Sequence, residues 1–267
     1  MTLTRFATLH GLNIHYRQEG RDTGVPLVFI NSLGSDLRIW DEVVSNLGSH
    51  FPILRYDKRG HGLSECPDAP YTIRDHSQDL AALLHHLSID KVILIGISVG
   101  GMIALDFASQ HPQHVSALVL CDTAAKIGSA DMWQERIETL REHGMAYLGD
   151  TILSRWFAPT FATKRPADYR GYYHMLTRVP VEGYTGTCEA IRDADLSKAV
   201  KTIQAHTLVL CGQEDLATTP AMGQALANMM PNAHFEVIKD AGHLPCIEQP
   251  SIMTHKIKTF LTSINTS

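Results

Sequence analysis

The stretch KVILIGISVGG, Lys91 to Gly101, decides how this chain is read. Its first seven residues form an apolar, β-branched run, which argues for a strand buried on both faces. From Gly100 an apolar stretch continues to Gln110 and reads as a helix. The residues between, Gly96-Ile97-Ser98-Val99-Gly100, have the form G-x-S-x-G. A strand-to-helix turn this sharp has no room for side chains beside its central residue, and Gly96 and Gly100 lack the Cβ atoms that collide there. Ser98 then stands at a helix N-terminus, where backbone N–H groups and the helix dipole favour developing negative charge. An ordinary turn with a serine N-cap can use the same five residues. The strand before, the helix after and the residues further along the chain favour a nucleophile.

Other buried strands flank this one. Pro26–Asn31, Pro52–Asp57, Val115–Cys121, Thr207–Cys211 and His234–Ile238 are short apolar runs. Helical stretches alternate with them at Trp40–Leu47, His76–Leu87, Gly100–Gln110, Pro220–Met230 and Ser251–Leu261. Such alternation predicts an α/β fold with a mostly parallel, doubly wound sheet. Thr4–Leu9 and Asn13–Arg17, joined through His10-Gly11-Leu12, predict an antiparallel hairpin at one edge. Residues 123–205 break the alternation. They hold Trp133, Trp156, five of the eight tyrosines and no clear buried strand. The flanking runs need the same sheet, so we read 123–205 as a helical lid over the strand ends, and 1–122 with 206–267 as the core.

Composition excludes several classes. The chain has 267 residues, 44% of them hydrophobic and 19% charged, a globular balance. Its 23 Lys and Arg against 28 Asp and Glu leave a net charge of −5, with no basic excess for a nucleic-acid backbone. No apolar run is long enough to span a membrane, and the N-terminus lacks the apolar core of a signal peptide, so a cytoplasmic protein is expected. The five cysteines show no C-x-x-C spacing and are expected as free thiols. The histidines show no H-E-x-x-H, so no metal site is read.

A nucleophilic serine needs a base and an orienting acid, which follow it in chain order on a sheet of this kind. Thr207–Cys211 leads into Gly212-Gln213-Glu214-Asp215, and Asp215 precedes a loop-to-helix start. Glu214 competes locally, and Asp122 competes from the end of Val115–Cys121. His243 follows the last strand in Ala241-Gly242-His243 and is the candidate base. The oxyanion needs two backbone donors. One is the N–H of Val99. The other falls in Asn31-Ser32-Leu33-Gly34 and is assigned to Leu33, with Ser32 or Gly34 one register away.

Gly96–Gly101, the segment Tyr56 to Ser64 (YDKRGHGLS), Asp215 and Ala241-Gly242-His243 together resemble the α/β-hydrolase superfamily over nearly the whole chain. There the Arg-Gly-His-Gly stretch is structural, so His61 is not taken as catalytic. Shorter features resemble the 3-oxoadipate enol-lactonases, hydrolases of aromatic catabolism. They are Asn31–Gly34, Asp122–Gly128, Trp133 with Arg136, Arg155-Trp156-Phe157, Gly183-Tyr184 with Cys188–Ile191, and Ala217–Pro220.

The resemblance implies an acyl-enzyme on Ser98, no cofactor, and a small anionic lactone as substrate. The substrate carboxylate needs a local cation, and Arg is the fork-shaped donor for it. Trp133 and Arg136, three apart, share a helix face and are the candidate substrate-binding residues. Core packing plus a solvated cation is the plain alternative, with Arg155, Arg178 and Arg192 as other cations. The same triad also serves other carboxylesterases and lactonases, perhydrolases, carbon–carbon hydrolases and small-molecule receptors. The sequence sets no oligomeric state.

Overall fold

The computed structural model describes residues 3–264. Its strands are β1 (Arg5–Leu9), β2 (Leu12–Gly20), β3 (Leu27–Ile30), β4 (Pro52–Tyr56), β5 (Val92–Ile97), β6 (Val115–Cys121), β7 (His206–Gly212) and β8 (Ala233–Ile238). They form one sheet in the order β1-β2-β4-β3-β5-β6-β7-β8. From β4 to β8 every pairing is parallel, while β1–β2 and β2–β4 are antiparallel. The central β3 and β5 are buried at every residue, as their unbroken apolar runs require. At the edge hairpin, His10 (φ 51°) and Gly11 (φ 84°) both turn left-handed, which matches the right-handed strand twist.

The helices are α1 (Asp41–Leu47), α2 (Ile73–His86), α3 (Val99–Gln110), α4 (Ala130–His143), α5 (Gly149–Trp156), α6 (Phe161–Lys164), α7 (Pro166–Thr177), α8 (Val181–Asp193), α9 (Pro220–Met229), α10 (Pro245–Glu248) and α11 (Pro250–Ile264). Four starts differ from the sequence expectation, those of α3 and α11 by one residue, at Val99 and Pro250. α2 begins three residues before His76, because Thr72 and Asp75 form a reciprocal capping box that satisfies the first turn. Leu37–Trp40 forms a 3₁₀ turn that leads into α1, which starts at Asp41 instead of Trp40.

The chain passes from β3 to β4 on one side and returns to β5 on the other. The crevice between the carboxyl ends of β3 and β5, where Ile30 pairs with Gly96, is therefore the topological switch point. The Asn31–Gly34 loop and Ser98 both emerge there. Helices α4 to α8 lie between β6 and β7 and cover it as a lid. Gly60 of the core and Gly183 of α8 meet backbone to backbone: a Cβ on Gly183 would stand 2.2 Å from the Gly60 carbonyl oxygen. That approach seats the lid helix directly on the Arg59-Gly60-His61 turn. All five cysteines are free, four of them buried. Among the described residues no helix is long and apolar enough to cross a membrane.

Candidate active site

Ser98 sits between β5 and α3 with φ 57° and ψ −122°, a strained conformation for a residue with a side chain. The neighbouring glycines make it possible. A Cβ on Gly96 would lie 2.3 Å from the Gly100 carbonyl oxygen, and one on Gly100 would lie 2.3 Å from that of Ile30. The turn is braced from β6: Ser98 N–H donates to the Cys121 carbonyl (2.9 Å), and Thr123 Oγ1 donates to the Ser98 carbonyl (2.7 Å).

Asp215 and His243 meet below the turn. His243 Nδ1 is 2.8 Å from Asp215 Oδ2, with the residues 3% and 2% exposed. The other acceptor sites of the carboxylate are filled by donors. Thr218 Oγ1 donates to Oδ2 (2.7 Å), and the N–H groups of Ala217 and Thr218 donate to Oδ1 (2.7 and 3.1 Å). Burial works against ionisation of Asp215, but His243, Thr218 and these amides outweigh it and hold the carboxyl below its ordinary range. Thr218 Oγ1 also lies 3.2 Å from His243 Nδ1, so one hydroxyl braces both partners.

The competing Asp122 is fully buried and makes no bond to His243. Its Oδ1 accepts from Gly212 N–H (2.7 Å), and its Oδ2 has no hydrogen-bond partner among the described residues. Burial, reinforced by the nearby Asp215 charge, pushes Asp122 well above the carboxylate range, so it stays neutral. Asp122, Asp215 and Cys211 bring ligand atoms within 4.8 Å of one another. They make a poor cation site: the Asp215 oxygens are already committed, and burial keeps Asp122 and the Cys211 thiol protonated. Glu214, the other competitor, has no bond to His243 among the described residues.

The two amides considered for an oxyanion hole flank Ser98. Val99 opens α3, so its N–H is free by helix geometry. Across the crevice, Gly34 N–H is already given to His61 Nε2 (3.0 Å), while His61 Nδ1 faces the Arg59 carbonyl (3.1 Å). That removes Gly34 as a donor and fixes the His61 tautomer. Leu33 N–H donates to no protein acceptor among the described residues, and Ser32 and Leu33 both line the cavity above Ser98.

That cavity has a volume of about 80 Å³ and brings together Leu33, Ser98, Trp133, Arg136 and His243, joined by Arg155, Trp156 and Tyr184. Trp133 is fixed by its Nε1 donating to the Ile127 carbonyl (2.7 Å), and Arg136 lies 4.9 Å from the Trp133 ring centre. The Arg136 guanidinium also stands beside the buried Tyr184 hydroxyl. Of the other arginines considered, Arg192 is paired with Asp193, and Arg178 lines a separate cleft of about 560 Å³ against β2. Arg155 lines the Ser98 cavity but gives Nη2 to the Leu216 carbonyl (2.7 Å).

The family pattern of the alpha/beta hydrolase fold matches residues 25–250. This chain is an α/β-hydrolase. The hydrolase is 33% identical to 3-oxoadipate enol-lactonase 2 of Acinetobacter baylyi, over 97% of this chain and 96% of that one. Among solved structures it resembles the enol-lactonase from Burkholderia xenovorans, at 37% identity and a TM-score of 0.94, covering 97% of this chain and 100% of that one. A thermophilic esterase from Thermogutta terrifontis is 27% identical with a TM-score of 0.91, covering 98% and 99%.

Two residues at this hydrolase's site escaped sequence reasoning. Thr218 was visible only as part of a short motif. Glu248 accepts from Gly242 N–H (2.7 Å) beside His243 and from Ala158 N–H (3.0 Å) in the lid, tying the histidine loop to the lid. Burial pushes Glu248 up to about 7 despite these bonds.

Proposed function

We propose that this enzyme is a cytoplasmic 3-oxoadipate enol-lactonase, with residues 1–122 and 206–267 as catalytic core and 123–205 as lid. The observation that carries the reading is Arg136: a half-buried guanidinium, stacked on Trp133, pairs with no carboxylate among the described residues and faces the Ser98 cavity. An uncompensated cation in such a place suits a substrate carboxylate. Similarity to enol-lactonases from two organisms supports the choice of lactone.

The geometry supports the following roles. Ser98 Oγ attacks the lactone carbonyl as His243 takes its proton, and Asp215 stabilises the imidazolium. The N–H groups of Val99 and Leu33 hold the oxyanion. The ring C–O bond breaks, the enol oxygen leaves as an enolate tethered to the acyl chain, and the enolate takes up the proton held by His243 and ends as the ketone, which leaves His243 neutral again. Water, activated by His243, then releases 3-oxoadipate and restores Ser98. An enolate is a good leaving group, so little acid assistance is needed.

The direct test is to follow loss of enol-lactone absorbance beside hydrolysis of an aryl ester and a hydroperoxide-dependent assay. A strong preference for the lactone is expected. The similar esterase supports carboxylesterase action on neutral esters as the second reading, which a preference for aryl ester would favour. Arg136→Met separates carboxylate recognition from chemistry. It keeps volume, removes charge, and is expected to lower kcat/KM for the lactone by roughly ten- to two-hundredfold, from about 1.5–3 kcal/mol for a charged hydrogen bond. A neutral aryl ester is expected to react as before. Equal losses on both substrates give Arg136 a structural role, and no loss on either moves recognition to Arg155.

A further inference from the structure

Lys58 is 1% exposed, yet its ammonium pairs with no carboxylate within salt-bridge distance among the described residues. Among the described residues Nζ donates only to carbonyls of the loop after β3, to Ser32 at 2.6 Å and to Ser35 at 3.5 Å. A buried, unpaired ammonium is expensive, and an apolar side chain of similar length would fill the space at lower cost. Stability alone therefore does not account for it.

The Ser32 carbonyl explains its placement. It gathers three donors, since Ser35 N–H (3.2 Å) and Ser35 Oγ (2.9 Å) join Lys58 Nζ. This carbonyl and the Leu33 N–H belong to one planar trans peptide, so the two groups point in opposite directions. Gripping the oxygen from the core side turns the N–H toward the Ser98 cavity. A cation at the oxygen also polarises the peptide and strengthens its N–H as a donor.

We propose that Lys58 is a positioning residue of the oxyanion hole, aiming and polarising the Leu33 N–H through the Ser32 carbonyl. The inference rests on Leu33 as an oxyanion donor. It adds a charge dependence that the triad lacks. Burial pushes Lys58 down to about 7, against the opposing pull of Asp57 and Asp36. Its other titratable neighbours are the buried His61 and His76; burial holds both well below their ordinary range, so they stay neutral in that window. Lys58 is charged below its pKa and loses the charge as pH rises through it. An alkaline fall in kcat is therefore expected, and it is assigned to Lys58.

The test uses p-nitrophenyl acetate, a neutral ester that reads the oxyanion hole without the lid cation, across the neutral and alkaline range. Lys58→Met is expected to lower kcat by roughly ten- to a hundredfold, short of the full loss of an oxyanion donor, with KM nearly unchanged. Its alkaline limb is expected to vanish. An aryl trifluoromethyl ketone, which forms an oxyanion on Ser98, should bind more weakly by the same factor. Ser35→Ala, which removes a neutral donor from the same carbonyl, should give a smaller loss with the alkaline limb kept; it serves as the test if Lys58→Met does not fold. A folded Lys58→Met enzyme with kcat within about twofold of wild type overturns the inference, as does a retained alkaline limb or a Ser35→Ala enzyme that loses nothing. In those cases a dead Ser98→Ala control leaves the hydrolase reading standing. A wild-type protein that hydrolyses no ester overturns both.

Discussion

Ser98→Ala is expected to lower kcat by several orders of magnitude, on the order of a millionfold where serine and base act as a unit. The change removes one hydroxyl and keeps the Cβ, so the positive φ of the turn is no more strained than before. Gly96, Gly100 and the brace from Thr123 to the Ser98 carbonyl are untouched. The variant should therefore fold and melt like wild type, and the loss should appear in kcat alone. Residual rate should come from the oxyanion amides and from substrate binding, which outlast the nucleophile. Single-turnover mixing with an aryl ester should show no burst of nitrophenolate from the variant. A purified Ser98→Ala protein with a tenth of wild-type turnover, free of contaminating esterase, would sink the acyl-enzyme route.

The frame that holds Ser98 was legible because its signals are local. Apolar runs such as Val92–Ile97 can be buried on both faces only in a covered parallel sheet, and His10-Gly11 can only turn tightly. Glycines at 96 and 100 carry their own steric reason. What stayed hidden depends on contacts across long sequence distances. Asn31-Ser32-Leu33-Gly34 offered three neighbouring amides, and only the capture of Gly34 N–H by His61, 27 residues later, excludes one. Arg136, Arg155, Arg178 and Arg192 look alike as lid cations. They separate once Arg192 is seen paired with Asp193 and Arg178 in another cleft. Lys58 lay in a stretch whose histidine and glycines drew attention first. Its use depends on which way the Ser32 carbonyl points, and no spacing rule encodes that.

Asp215→Asn and Asp122→Asn are expected to separate by orders of magnitude, though both residues are buried acids at the ends of neighbouring strands. Four donors hold the Asp215 carboxylate: His243 Nδ1 and Thr218 Oγ1 on Oδ2, the amides of Ala217 and Thr218 on Oδ1. An asparagine has one acceptor oxygen, and two backbone amides compel it to the Oδ1 position. Its NH₂ then faces His243 Nδ1 and Thr218 Oγ1. The imidazole must accept there, so its proton moves to Nε2, the nitrogen that should take the proton from Ser98. Loss of the acceptor tautomer and of the charge that stabilises the imidazolium predicts a fall of about 10⁴ in kcat, with KM little changed. Asp122 is already neutral, accepts one amide and does not touch His243. Asparagine reproduces that bond through its oxygen, so Asp122→Asn should stay within about tenfold of wild type. Steady-state kinetics on one ester for both variants decides the matter. If Asp122→Asn is the crippled enzyme and Asp215→Asn is not, the acid belongs to the end of β6, and the Asp215–His243 contact is structural.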